Sequence, residues 1–570
     1  MKFVNGRIIS RILSLILTVL YFLSASSAFS GGGKDVPDPT LAAPIWPAWV
    51  HEHWVWENVG TQESSAELVG GYLEHDIPVG ATIIDHPWDA GIGSFLPSQE
   101  RYPDLADLID RYHSLGIRVM MWGTCMVNED APNFQEGKDK GYYVANGRTT
   151  KWWNGRGAFV DYTNPEAVEW FHRQMDKVLD LGIDGWKVDG ADPYIMLMFP
   201  PTGKNDLFIT WNEYQELFYR DFFEYTREKL GNDRVISARP VDDLPLRIGF
   251  PLVFTSRDIN FAGWVGDEDN DWTGIRSALN DMMASARFNF VSYGSDIGGF
   301  RADGNQYKDV FIRWTQLGAF CPIMENGGSG VHKPWLYDEE ATDIYRKFVN
   351  LHTELIPYIY SQAAYSYELV KPTMRPQLGT YEYLLGDDIL VAPMYEEGTE
   401  RTVTFPAGEW IYLFDDTQTF KPGVRTLTFG FDEFPAFIRK GAIIPMNITN
   451  SVTGFGSPLN KGYTTVLVYP REGEKKFGLY EQDKTGAMLS YTKGRDSLTL
   501  RSTPTGRALL FSVRGEPVPA TVKNASGAPL AQAASMAQLV AMQAGYFVDG
   551  GVTWYAVKNA ASGAEIRVCY

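Results

Sequence analysis

Apolar positions along the chain keep helical spacing in some stretches and form short unbroken runs in others, and the two patterns alternate. From Pro103 onward, Leu105, Leu108, Ile109, Tyr112 and Leu115 share one helix face, Gly116 supplies a stop, and Arg118-Val-Met-Met-Trp122 follows as an apolar strand. The order repeats at Asn164-Pro165-Glu166, which predicts an N-cap with proline in the first helical position. Phe171, Met175, Val178 and Leu179 then mark a buried helix face, and Gly185-Trp-Lys-Val-Asp189 reads as the next strand. A third unit runs from Asp281 into Phe290-Val-Ser-Tyr293. Helices and strands alternating in this way imply a parallel sheet, and the span 44–364 suits a (β/α)8 TIM barrel.

Beyond Tyr365 the pattern changes to short apolar strands separated by Gly and Pro turns, among them Asp388-Ile-Leu-Val-Ala-Pro393, Arg401-Thr-Val-Thr-Phe405 and Ala436-Phe-Ile-Arg439. These predict a proximal C-terminal β-sandwich over 365–450. After a stretch rich in Ser, Thr, Gly and Asn, Tyr463-Thr-Thr-Val-Leu-Val-Tyr469 opens a distal β domain, 451–570. At the other end, Lys2, Arg7 and Arg11 precede an apolar run from Ile12 to Leu23 and the small residues Ser24 to Ala28. That order predicts a signal peptide over 1–28, a linker over 29–43, and a secreted or periplasmic protein. The run is short for a spanning helix, and no other segment approaches the ~20 apolar residues a membrane crossing needs.

A formal charge of -19 over 570 residues, with no basic stripe, argues against a nucleic-acid partner. Cys125, Cys321 and Cys569 lie far apart, with neither metal-ligand spacing nor a disulfide framework, and are expected to be buried small side chains. The expectation is therefore an enzyme without metal or cofactor. In a barrel the chemistry sits where strands end. Asp85 follows Ala81-Thr-Ile-Ile84, Asp189 follows Trp186-Lys-Val188, Asp296 lies just past Val291-Ser-Tyr293, and Asp267 ends the loop Phe261-Ala-Gly-Trp-Val-Gly-Asp267. Carboxylates around one pocket are what glycoside cleavage requires, one ionised to attack and one protonated to release the leaving oxygen. A calcium loop over Asp267-Glu-Asp-Asn-Asp271 fails, because Trp272 and Ala278 stand where such a loop needs Gly and a bidentate Glu.

From about Trp46 to about Met446 the chain resembles glycoside hydrolase family 31. Gly185-Trp-Lys-Val-Asp189 is similar to that family's nucleophile strand, Gly263-Trp-Val-Gly-Asp267 to its acid/base loop, and Gly294-Ser-Asp-Ile-Gly-Gly-Phe300 to its sugar-pocket motif. Arg313-Trp-Thr-Gln-Leu-Gly-Ala-Phe320 follows in order, and Leu384 to Pro393, Pro406 to Trp410 and Arg439 to Pro445 match its first C-terminal sandwich. The resemblance implies a retaining, exo-acting α-glycosidase that hydrolyses terminal non-reducing units of a glycoside or oligosaccharide. It makes Asp189 the nucleophile and Asp267 the acid/base, and implies that Arg239 binds sugar and keeps Asp189 ionised. Asp85 and Asp296 become hydroxyl acceptors, and Trp122, Trp186 and Trp264 pocket walls.

Three departures stand out. The family usually carries a large β-sandwich before the barrel, whereas some forty residues precede it here, which implies that part of the pocket rim is missing or supplied differently. The α-glucosidase members carry a His after the Leu-Gly-Ala-Phe motif, where this chain reads Cys321-Pro-Ile-Met-Glu325-Asn-Gly327, with Gly at that place and Glu325 as the replacement contact. Lys187-Val-Asp189 resembles the Lys-x-Asp of related α-galactosidase families, in which the Lys contacts the sugar. Together these tilt the expected glycone toward galactose, with an α-glucosidase or α-xylosidase as the alternative. From another class, a non-catalytic carbohydrate-binding protein would keep the fold and lose one of the two acids.

Overall fold

The computed structural model describes residues 38–39, 44–189, 201–242, 252–483 and 485–570. The expected signal peptide, Gly190 and all of the linker but Asp38 and Pro39 up to residue 43 lie outside them. Eight short parallel strands make the barrel: β1 (His53–Glu57), β2 (Ala81–Ile84), β3 (Arg118–Gly123), β4 (Gly185–Val188), β5 (Val235–Ser237), β6 (Gly263–Trp264), β7 (Tyr293–Gly294) and β8 (Met324–Asn326). Strands β8, β1, β2, β3, β4 and β5 pair in that order. A bridge from Ile236 to Asn260 leads on to β6, β6 pairs with β7, and Asp296 bridges to Glu325 to close the ring.

Helices follow seven of these strands among the described residues: α1 (Gln62–Glu74), α2 (Leu105–Ser114), α3 (Pro165–Leu179), α4 (Trp211–Leu230), α5 (Trp272–Arg287), α6 (Lys308–Gly318) and α7 (Glu339–Glu368). Their starts are set by side-chain caps. Asp104 accepts from the Asp107 N–H at the head of α2, and Asn164 accepts from Glu166 ahead of Pro165 in α3. In the acidic run after β6, Asp271 is an N-cap, accepting from the N–H groups of Thr273 and Gly274.

Strand β4 is buried on both faces, as a barrel strand covered by helices must be. Gly185 has to be glycine, since a Cβ there would lie 2.2 Å from the Val235 carbonyl oxygen of β5. Just before it, buried Asp184 clamps three strands together. Its carboxylate accepts from the Val119 N–H of β3 at 2.9 Å and from Arg118 at 2.8 Å, and meets His113 Nε2 at 2.8 Å. Its own N–H donates to Val119 O, and its carbonyl accepts from Val235 of β5.

The C-terminal half is all β. A six-stranded sheet over residues 374–439 faces a two-stranded ribbon of Glu400–Phe405 and Gly423–Thr428, with Val403, Phe405, Trp410 and Phe437 buried between them. Two five-stranded sheets follow. The strand Ile443–Met446, assigned from sequence to the proximal domain, pairs with Tyr463–Val468 of the distal sheet. The turn-rich stretch after it therefore connects two neighbouring strands of one sheet. Cys125 and Cys321 are buried as expected, but Cys569 is exposed, because alternation along Ala564–Cys569 sends Ile566 and Val568 inward and its thiol outward. No helix among the described residues is long and apolar enough to cross a membrane.

Burial opposes the charge on Asp184, but His113, the Val119 N–H, Arg118 and Arg234 hold its carboxyl below the ordinary 3.8. Asp184→Ala is predicted to cost about 3 kcal/mol of unfolding free energy. Because the folded-state value is the depressed one, that contribution is complete above about pH 5 and is lost as pH falls through it. Denaturant titrations of both proteins at several pH values check this, and a difference that grows below about pH 4 would contradict it.

Candidate active site

The strand ends β4, β5 and β6 deliver an acid, a cation and an acid to one point. Asp189 directly follows β4, and its N–H donates to Gly123 O at 3.0 Å, which fixes it to the end of β3. Arg239 lies two residues past β5 and Asp267 three past β6. Arg239 Nε donates to Asp189 Oδ1 at 3.2 Å and Nη2 to Asp267 Oδ1 at 2.8 Å, while Nη1 donates to Asp242. Hydrogen bonds leaving one edge of a planar guanidinium run nearly parallel. The Asp189 and Asp267 carboxylates therefore sit side by side on a shared cation. Their side chains are 19% and 29% exposed, whereas that of Arg239 is 8% exposed, so the acids face solvent and the cation lies behind them.

A second cation lies deeper. Lys187 Nζ is 3.7 Å from Glu325 Oε1, 3.5 Å above the Trp56 ring and 4.7 Å from the Trp264 ring. Arg239 also stands over Trp264, at 4.9 Å, so that indole lies against both cations. Burial works against the charge on Lys187, yet Asp296, Glu325, Asp85 and Asp189 outweigh it and raise its pKa. The acids feel the same burial. Asp85 is pushed up to about 7 against the pull of Lys187, and Asp296 and Glu325 are raised as well. Neither Asp296 oxygen has a hydrogen-bond donor among the described residues, although the side chain is fully buried. Such acceptors are costly to leave empty, and sugar hydroxyls are suitable donors for them.

Of the residues singled out from sequence, Asp85, Lys187, Asp189, Arg239, Trp264, Asp267, Asp296 and Glu325 converge here. Trp122 pairs in register with Lys187 and lies beside His86 and Trp153, on the same wall. Trp186 does not join them. Strand alternation turns it away from Lys187 into the layer under α4, where it packs edge-on against Phe95 and Phe222 and donates to Thr226 Oγ1 at 2.9 Å. It is a core residue rather than a pocket wall.

Two partners went unnoticed in the sequence. Asp242 is visible only as the third residue after Arg239. Trp56 is the next-to-last residue of β1, and its alternation with Trp54 was available as a signal. Gly327 explains its position: a Cβ there would lie 2.3 Å from three atoms of the Trp56 ring. The absence of a side chain at Gly327 is what lets this indole reach Lys187.

Comparison with known proteins agrees with the barrel and the β-sheets that follow it. Residues 43–362 match the glycosyl hydrolases family 31 TIM-barrel domain, and residues 366–444 match the glycosyl hydrolase family 31 C-terminal domain. The chain is 28% identical to alpha-xylosidase XylQ of Lactiplantibacillus pentosus, over 72% of this chain and 55% of that protein. It is 27% identical to alpha-glucosidase 2 of Bacillus thermoamyloliquefaciens, over 81% of this chain and 61% of that protein. The chain thus spans little more than half the length of these relatives. A dextranase of Flavobacterium johnsoniae, solved with glucose, shares the fold with a TM-score of 0.79 at 18% identity, over 93% of this chain and 71% of that one. With its barrel and the sandwich that follows both matched, the chain belongs to glycosyl hydrolase family 31.

Proposed function

We propose that the chain is a retaining, exo-acting α-glycosidase that removes terminal non-reducing α-xylosyl or α-glucosyl units. The observation that carries this is the pair Asp189 and Asp267 on one edge of Arg239. In the first step an Asp189 oxygen bonds to the anomeric carbon as the carbon–oxygen bond to the aglycone breaks, and Asp267 gives its proton to the departing oxygen. In the second, Asp267 takes a proton from water, the water oxygen bonds to the anomeric carbon, and Asp189 leaves as carboxylate. Two inversions give net retention.

Arg239 sets a fixed positive charge against both carboxylates. That suits Asp189 throughout. Asp267 must carry a proton for the leaving oxygen before the first step, and only its Oδ1 is bonded to Arg239. Asp85, Asp296 and Glu325 then accept from hydroxyls, and Lys187 donates.

The choice of glycone rests on the relatives that are α-xylosidases and α-glucosidases. A second reading, an α-galactosidase, is favoured by Lys187 beside Glu325, with Gly327 in place of the α-glucosidase histidine. Hydrolysis rates on 4-nitrophenyl α-xyloside, α-glucoside and α-galactoside separate the two. The first reading predicts a clear preference for the xyloside or glucoside, and a rate confined to the galactoside would replace it with the second.

Asp189→Ala and Asp267→Ala are each predicted to lower kcat/KM by about 10³-fold or more on natural glycosides. Added azide separates the roles. It should restore turnover of an activated substrate by Asp267→Ala with a retained α-azide product, and by Asp189→Ala with an inverted one. Wild-type rates in either variant would sink the assignment.

As part of the same proposal, the basic, apolar and small-residue N-terminal stretch supports export. Fractionation of the source cells should place the enzyme outside the cytoplasm without residues 1–28, and a cytoplasmic chain beginning at Met1 would contradict this.

A further inference from the structure

Between β3 and α3 the chain builds a three-stranded antiparallel sheet from Met126–Asn128, Thr150–Trp152 and Gly155–Phe159. A loop that follows a barrel strand stands on the face where strands end, the face of Asp85 and Asp189. Adjacent tryptophans at the tip of this hairpin have opposite environments. Trp152 is buried, its Nε1 donating to Asn128 Oδ1 at 2.8 Å, while Asn128 Nδ2 donates to Asn154 O at 2.7 Å. Trp153 is turned outward and is 52% exposed, whereas the other tryptophans among the described residues are buried or half-buried.

Its ring is nevertheless held in place. It meets His86 edge-on at 5.2 Å between centroids and Trp122 edge-on at 6.0 Å, and the side chain of Asn154 pairs with His86. His86 directly follows Asp85, and Trp122 pairs in register with Lys187 on the nucleophile strand. Trp153 is therefore continuous with the pocket wall but lies outside it. The rings of the wall itself, Trp56, Trp122 and Trp264, are all buried. A large apolar surface held by two perpendicular ring neighbours and left open to water at a pocket rim is a stacking platform for a ring-shaped ligand.

We propose that Trp153 forms the aglycone side of the site. The ring that carries the leaving oxygen, a second sugar or an aryl group, stacks on its exposed surface while the terminal sugar fills the pocket at Asp189, Asp267 and Lys187. This rests on the glycosidase reading, and the occupant follows from position: only the part of a glycoside that projects beyond the two acids reaches the rim.

The test compares two leaving groups on one glycone. A 4-nitrophenyl α-glycoside offers a ring to stack, and the matching α-glycosyl fluoride offers none. Trp153→Ala should raise KM for the nitrophenyl glycoside about tenfold, the scale of one aromatic contact. Its kcat/KM on the fluoride should stay within about twofold of the original, and Trp153→Phe should recover most of the loss. An unchanged nitrophenyl KM would overturn the proposal. So would an equal loss on the fluoride, which would mean that Trp153 only props Trp122 and His86. If the unaltered protein turns over none of the xylosyl, glucosyl and galactosyl fluorides, the glycosidase reading fails, and this inference fails with it.

Discussion

Three carboxylates, Asp189, Asp242 and Asp267, share the single guanidinium of Arg239, and much of the barrel serves to bring them there. Three carboxylates at such close range would otherwise repel one another. A buried, permanently charged, planar donor allows two of them to face solvent side by side. The arrangement has strict geometric demands. It needs the ends of β4, β5 and β6 at one level, which explains the bare Gly185 against β5 and the Asp184 clamp that ties β4 to β3 and β5. The backbone that carries Arg239 is itself held, with Thr255 donating to its carbonyl oxygen and Trp264 lying under its guanidinium.

Beneath this pair the electrostatics run in the opposite sense. Asp85, Asp296 and Glu325 surround one ammonium, Lys187, in a setting that burial makes hostile to charge. Acids outnumber the cation there, so the floor of the pocket offers acceptors that the protein itself does not satisfy. A sugar supplies donors on a ring whose faces are apolar, and Trp56 and Trp264 present aromatic faces to that space while also stabilising Lys187. Gly327, with no side chain of its own, leaves room for the Trp56 ring, which serves there as a wall and a partner for the Lys187 cation.

Much of this was legible in the sequence because it rests on local rules. Alternating periodicity gave the barrel, caps at Asp104 and Asn164 gave helix starts, and acids at strand ends together with motif order gave Asp189, Asp267 and Arg239. What was missed depends on alternation and on contacts between distant segments. Trp186 sits one residue from Lys187 but on the opposite face of β4. Trp56 acquires its meaning only through Gly327, some 270 residues away along the chain. The strand Ile443–Met446 carries no local sign of which sheet will accept it, since both of its candidate neighbours are apolar β-strands. Trp153 is one tryptophan of seventeen until the hairpin turns it outward.

The central claim is that Asp189 forms a covalent glycosyl intermediate while Asp267 transfers the proton. Slow-turnover 5-fluoro α-glycosyl fluorides of xylose, glucose and galactose, followed by peptide mass spectrometry, test it most directly. The account predicts one glycosyl adduct, carried by the peptide that contains Asp189 and localised to that residue. An adduct on Asp267, or inactivation with the label elsewhere, would contradict it.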